Sequence, residues 1–113
     1  MAGDPTPQAT IGSRWAVSDS AAWTRTAEGG AVVVDMAAGR PLELSPSGTA
    51  VWEALVGGLE PEEDLAGAPG PRDLETLAAA IAAAYGLTAQ DVLDDVAAFL
   101  TMLARHGVVA RTD

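Results

Sequence analysis

A chain of 113 residues has room for one domain, since domains cluster near ~100–150 residues and one of this size buries roughly two thirds of its unfolded surface. Hydrophobic residues make up 49% of it, yet only five side chains are aromatic (Trp15, Trp23, Trp52, Tyr85, Phe99), so the core has to be built mainly from Ala, Val and Leu. The absence of cysteine excludes disulfides, thiolate metal sites and thiol catalysis, and six arginines against sixteen acidic residues, a net charge of −10, argue against nucleic-acid and anionic-membrane surfaces.

Residues 1–13, MAGDPTPQATIGS, mix Pro, Gly, Ser and Thr around one isolated Ile11 and are expected to form a disordered tail. They lack the basic and apolar regions of a signal peptide, and no apolar run approaches the ~18–20 residues of a membrane span, so a soluble cytoplasmic protein is expected. The folded domain is expected over 14–113. In RWAVSDSAAWTRT the alternation of Trp15 and Val17, then Ala21, Trp23 and Arg25, suits a first extended segment with a weak point at Ser18 to Ser20. Glu28-Gly29-Gly30 reads as a hairpin turn, and the β-branched run Ala31 to Asp35 as the second strand. After the turn Ala37 to Arg40, Pro41-Leu42-Glu43-Leu44 alternates once more, and its leading proline marks an edge strand.

Ser45-Pro46 supplies an N-cap and a first-turn proline, and Val51, Trp52, Leu55 and Val56 recur at helical spacing until Gly57-Gly58, which predicts a first helix over 46–56. Residues 57–71 hold four glycines and three prolines around an acidic cluster and predict an extended loop. Asp73 caps a second helix with Leu74, Leu77, Ala78, Ile81 and Tyr85 on one face and Gly86 as its stop. Thr88 and Asp91 resemble a capping box for a third, in which Val92, Val96, Phe99, Leu100 and Leu103 draw one apolar stripe ending at Arg105-His106-Gly107. Three strands followed by three helices, with no βαβ alternation, make an α+β domain with a three-stranded antiparallel sheet.

Groups that could carry catalysis are few. His106 is the sole histidine, and a helix C-terminus accounts for it; no second one exists to share a metal. Asp91, Asp94 and Asp95 suit the N-terminal half of a helix, and the acids of 60–64 lack the spacing of a calcium loop. The serines near Pro46 cap a helix and are far from a phosphate loop. No nucleophile stands beside a base, so no enzyme activity, catalytic residue, metal or cofactor is expected, and binding is the better class.

The segment from Gly30 to Val109, roughly three quarters of the chain, resembles the PqqD-like family, also called RiPP recognition elements: small domains that bind leader peptides of ribosomally synthesised, post-translationally modified peptides. The resemblance is carried by VVVDMAAGRPLELSPSGTAVWEAL, a strand, turn, strand and tryptophan-bearing helix in the family's order, and by LETLAAAIAAAYGLTAQDVLDDVAAFLTMLARHGVV, which is similar to its closing helices. The 57–71 loop is longer than the family's usual link, and Arg40-Pro41-Leu42 stands where an aromatic pair is common.

The resemblance implies a winged helix-turn-helix-like fold in which a leader peptide adds as a strand to the open edge of the third strand, beside the third helix, with side-chain pockets giving specificity. Carried onto this chain, the peptide-binding residues would be Arg40, Pro41, Leu42, Glu43 and Leu44 on the strand side and Val92, Asp95, Val96, Phe99 and Leu103 on the helix side. Asp95 would orient a peptide group or an arginine, and Arg40 and Arg105 would meet acidic leader side chains. The implied partners are the precursor leader peptide and a modifying enzyme: a protease, cyclase, radical enzyme or dehydratase. An open edge can equally pair with a second copy of the chain. The competing reading from topology, a winged-helix DNA-binding regulator, is opposed by the acidic start of the third helix.

Overall fold

A computed structural model describes residues 13–68 and 70–112. Residues 1–12, nearly all of the expected tail, lie outside them. Ser13 does not behave as tail: it is fully buried, its hydroxyl oxygen accepts the Trp15 indole N–H at 3.0 Å, and its carbonyl accepts the Leu74 N–H at 2.9 Å.

The first extended segment is two strands, β1 (Arg14–Val17) and β2 (Ala21–Arg25), and they belong to different sheets. The break falls at the serines. Ala21 N–H donates back to the Ser18 carbonyl at 3.1 Å, Ser20 N–H to the Ser18 hydroxyl at 3.3 Å, and the two hydroxyls lie 2.9 Å apart. Short hydroxyl side chains thus satisfy backbone groups locally and turn the chain where a ladder would otherwise continue.

β2, β3 (Ala31–Asp35) and β4 (Pro41–Leu44) form the expected three-stranded antiparallel sheet, in that order, with Trp23 opposite Val33 and Val33 opposite Leu42. β4 lies at its edge, as the proline indicates. A second sheet, not anticipated from the sequence, has the order β5-β1-β6, where β5 is Arg72–Asp73 and β6 is Val109–Arg111. Both strands are too short to announce themselves by composition; they exist because β1 pairs with them, Trp15 facing Arg72 on one side and Arg111 on the other.

Three helices follow the first sheet: α1 (Pro46–Val56), α2 (Leu74–Tyr85) and α3 (Ala89–Arg105). Each starts on its predicted cap. The Ser45 hydroxyl accepts the Gly48 N–H at 3.2 Å, the Asp73 carboxylate accepts the Thr76 N–H at 3.0 Å, and Thr88 with Asp91 closes a full capping box. The 57–71 loop contains one short 3-10 turn, Leu65–Gly67, whose Leu65 plugs into the core. No single helix among the described residues is long and apolar enough to cross a membrane.

The core takes all three tryptophans. Trp15, Trp23 and Trp52 are 2%, 6% and 0% exposed, and the last two meet edge to face with centroids 6.1 Å apart. Arg25 covers Trp23 at 4.9 Å from the ring centre and pairs with Glu53 on α1 and Glu60 in the loop, tying β2, α1 and the loop together. Leu74, Leu77, Leu100 and Leu103 fill the space between the helices.

The start of α3 gives the first prediction. Thr88, through its backbone N–H and then its hydroxyl, holds the Asp91 carboxyl below the usual carboxylate range. A carboxyl whose folded pKa is depressed contributes stability above its unfolded value, about 4, and loses it as pH falls through the lower folded value. Thr88→Ala is expected to cost about 1 kcal/mol in urea unfolding at neutral pH. In the same variant the Asp91 carboxyl, followed by carbon NMR, should titrate closer to its ordinary range.

Candidate functional site

The site is built around the open edge of β4, and the hydrogen-bond alternation of the sheet fixes what that edge offers. Thr26 N–H donates to the Gly30 carbonyl at 3.0 Å and Met36 N–H to the Ser20 carbonyl at 2.9 Å. Hydrogen-bonded pairs alternate along an antiparallel ladder, so Thr24–Val32 and Ala22–Val34 are the bonded pairs between β2 and β3. Ala31 and Val33 then turn their N–H and C=O groups toward β4, where they meet Leu44 and Leu42. What remains facing outward on β4 is the carbonyl of Pro41 and both the N–H and the carbonyl of Glu43.

Two close approaches hold α3 near the two ends of β4, one to α1 and one, just past the end of α3, to β3. At the far end of the strand, the Phe99 ring lies so close to Gly48, in the first turn of α1, that a Cβ on Gly48 would stand 2.9 Å from Cε1 and Cζ. At the near end, Gly107 follows α3 with φ +78° and presses against the Asp35 carboxylate, 2.8 Å from where its Cβ would be. That position needs glycine twice over, for the left-handed backbone and for the close approach. Asp35 in turn accepts the Ser20 hydroxyl at 3.0 Å and the Ala37 N–H at 3.2 Å.

Beyond the end of β4 opens an apolar cavity of about 620 Å³. Val92, Val96 and Phe99 of α3 line it, with Val51 and Gly48 of α1, Ile81 and Tyr85 of α2, and Leu87 in the following turn. Ser45, Ser47 and the exposed Asp95 supply its polar rim. Among the described residues three large hydrophobic side chains are well exposed, and two of them, Tyr85 and Leu87 at 50% each, sit on this cavity. Two such residues on one concave wall mark a surface for contact rather than scattered exposure.

The residues expected on the peptide face therefore divide. Val92, Asp95, Val96 and Phe99 come together in the cavity wall, with Phe99 half-buried. Pro41, Leu42 and Glu43 lie on the edge strand outside it, Leu42 half-buried and the other two exposed. Leu44 and Leu103 are 3% and 0% exposed and belong to the core. Arg40 is exposed just before Pro41 and Arg105 two residues before Gly107, so two guanidinium groups flank the Gly107 end, where His106 is also exposed. Asp91, Asp94 and Asp95 put negative charge on the first half of α3, and of these Asp95 borders the cavity.

Sequence reasoning missed Gly48, Ile81, Tyr85 and Leu87. Gly48 carried a signal: a glycine within the first turn of a helix costs about 1 kcal/mol of propensity against alanine, and its place here is paid back by the approach of Phe99. Tyr85 and Leu87 flank the stop glycine between α2 and α3, a pair visible in the sequence but given meaning only by the neighbouring helix.

The sequence model of "Coenzyme PQQ synthesis protein D (PqqD)" matches residues 30–109. The chain belongs to the PqqD family. The matched span takes in β3, β4 and all three helices, and so every element of the edge and the cavity. No curated protein matches the chain. Among solved structures, "TbiB1 in Complex with the TbiA(beta) Leader Peptide" is similar with a TM-score of 0.64 at 21% identity, over 83% of this chain and 93% of that one. At that identity the likeness concerns the fold, and with it the PqqD-family arrangement of three helices on antiparallel strands.

The contact of Gly48 with Phe99 makes a prediction that separates site from stability. Gly48→Ala gains helix propensity but forces the ring tip away, and a half-buried ring can swing. The unfolding free energy should change by less than about 1 kcal/mol, while the Phe99 ring protons shift strongly in NMR spectra. An unchanged Phe99 environment would refute the close approach.

Proposed function

We propose that this PqqD-family chain is a recognition protein that binds the leader segment of a ribosomally made precursor peptide, as a strand added to β4, and presents it to a modifying enzyme. The observation that carries the reading is the edge of β4, which no strand pairs among the described residues, with Glu43 turning both main-chain groups outward. Strand addition draws affinity from such groups and specificity from side-chain pockets next to them. Family membership supports the reading, and so does the leader peptide bound to the similar TbiB1 fold.

The leader's backbone meets Pro41 and Glu43, its side chains lie against Leu42 and Phe99, and one apolar side chain enters the cavity over Val92 and Val96. Charge gives the bound segment a polarity. Acidic residues suit the end marked by Arg40 and Arg105, and a basic or hydroxyl side chain suits the end marked by Asp95. Glu43, charged and exposed on the edge, works against pairing with a second copy. The role is recognition and hand-over, not catalysis. The acidic half of α3 disfavours insertion into a DNA groove.

The sharpest test uses the edge itself. Proline is tolerated at an edge position whose N–H points away from the sheet, so Glu43→Pro should fold, and should weaken leader binding by about ten-fold or more through loss of one outward donor and the obstruction of its partner. Phe99→Ala should weaken it as well. Titration of labelled protein with leader peptides encoded beside its gene should shift amides of residues 40–44 and 92–103. Leaders that bind Glu43→Pro as well as wild type would rule out strand addition at β4.

A further inference from the structure

The register of the β4 edge also fixes which residue of an added strand meets which side chain. Every pairing in the β2-β3-β4 sheet is antiparallel. An antiparallel neighbour that takes both the N–H and the carbonyl of Glu43 does so with a single residue, which then stands directly opposite it. Side chains alternate between the two faces of a sheet, and residues directly opposite each other share a face. The residue opposite Glu43 therefore lies on the face of Glu43. Leu42 and Leu44 turn the other way, half-buried and buried, and the two neighbours of the opposite residue turn to their side.

The face of Glu43 is the outer one. Across it, Thr24 and Val32 lead to Glu43, and Ala22 and Val34 lead to Pro41. Glu43 is the single charge among these six, and it is exposed. It borders an open cleft of about 480 Å³ between the β2–β3 hairpin, with Thr26, Glu28 and Gly30, and the entry to α1, with Ser45 and Pro46. Two carboxylates line this cleft and no cation does. Neither Glu28 nor Glu43 has a hydrogen bond or an ion pair among the described residues. The hydroxyls, by contrast, are engaged: Thr26 accepts the Gly30 N–H at 3.0 Å and Ser45 the Gly48 N–H at 3.2 Å. Among the described residues no third acid or imidazole joins the two glutamates to hold a metal ion.

We propose that the leader residue paired with Glu43 is a lysine or arginine whose head group lies in this cleft between the Glu43 and Glu28 carboxylates, with an apolar residue on either side of it in the leader. The outward main-chain groups of Glu43 call for a strand independently of any charge, and the carboxylate beside them selects among strands. Opposite charges directly across an antiparallel pair stabilise it, and like charges there destabilise it. A long basic side chain also suits the position because its stem covers the strand while its head stays in water. The charges at the ends of β4 agree: Arg40 lies at the Pro41 end and Asp95 on the cavity beyond the Leu44 end. The leader class read here is thus apolar, basic, apolar at three consecutive positions. The assignment rests on strand addition at β4 and adds to it the side chains that are chosen.

The test keeps the main-chain donor of Glu43 and changes only its charge. The full labelled chain and its variants Glu43→Gln, Glu43→Lys and Glu28→Gln, all at exposed positions, are titrated at low salt with leader peptides encoded beside its gene. Each leader is used intact and with every lysine or arginine changed in turn to glutamine or glutamate. One basic position should stand out. Glutamine there weakens binding to wild type by up to about five-fold and leaves binding to Glu43→Gln unaltered. Glu43→Lys should weaken the intact leader by about ten-fold or more and recover with the leader that carries glutamate at that position. Glu28→Gln should weaken it by a smaller factor. Leaders that shift the amides of residues 40–44 yet bind all three variants as tightly as wild type overturn the pairing with Glu43 and leave strand addition standing; Glu43 then serves only to keep a second copy from the edge. Leaders whose basic residues can all be replaced without loss overturn it in the same way. Leaders that move none of these amides overturn the recognition reading, and the assignment with it.

Discussion

The pairing of β1 with both β5 and β6 is the constraint on which the rest of the structure depends. One strand of four residues grips the segment entering α2 and the segment leaving α3. Hydrogen bonds continue the grip past the ladder: Leu74 N–H to the Ser13 carbonyl, Ser18 N–H to the Val108 carbonyl and Thr112 N–H to the Arg14 carbonyl, each at 2.9 Å. The buried Trp15 sits in the middle, its indole N–H satisfied by Ser13. Because both outer ends of the α2–α3 pair are held this way, α3 has little freedom at its exit, and Gly107 is pressed onto Asp35 at the mouth of the first sheet. The cavity beyond the end of β4 is thus positioned from behind, by strands that take no part in lining it.

What the sequence made legible follows from how local each signal is. The helices were readable to the residue because Ser45, Asp73 and Thr88 cap their own first turns and Gly57 and Gly86 end them, all within a few positions. The edge character of β4 was readable from Pro41 alone. β5 and β6 were not: Arg72-Asp73 and Val109-Ala110-Arg111 carry no strand signature and owe their conformation to β1, more than 55 residues away in the chain. Trp15 and Trp23 look alike as alternating aromatic positions, yet the serine corner between them sends each to its own sheet.

The candidate site divides along the same line. Val92, Asp95, Val96 and Phe99 were accessible through the periodicity of one helix and the family pattern. Leu103 shares that periodicity and Leu44 the alternation of β4, yet both are buried in the core, because an apolar pattern identifies the buried face and not which part of it borders a cavity. Ile81, Tyr85 and Leu87 escaped notice since their role arises where α2 ends against α3, a meeting set by the bend of 119° between the two helices.

The small size of the edge bears on where selectivity lies in a strand-adding mechanism. β4 turns outward the N–H and carbonyl of Glu43 and the carbonyl of Pro41, enough for about three main-chain hydrogen bonds, each worth roughly 1 kcal/mol net in water. A micromolar constant corresponds to about 8 kcal/mol, and ordering a flexible peptide adds to what must be met. Main-chain pairing alone therefore falls well short, and any sequence able to extend would gain it equally. The balance has to come from apolar burial. One large side chain removing ~150–250 Å² from water at ~25 cal/mol per Å² supplies about 4–6 kcal/mol, and the cavity walled by Val92, Val96, Phe99, Ile81 and Tyr85 has the volume to accept it. Register and direction then belong to β4, while the choice among peptides belongs to the cavity and to the charges at its two ends.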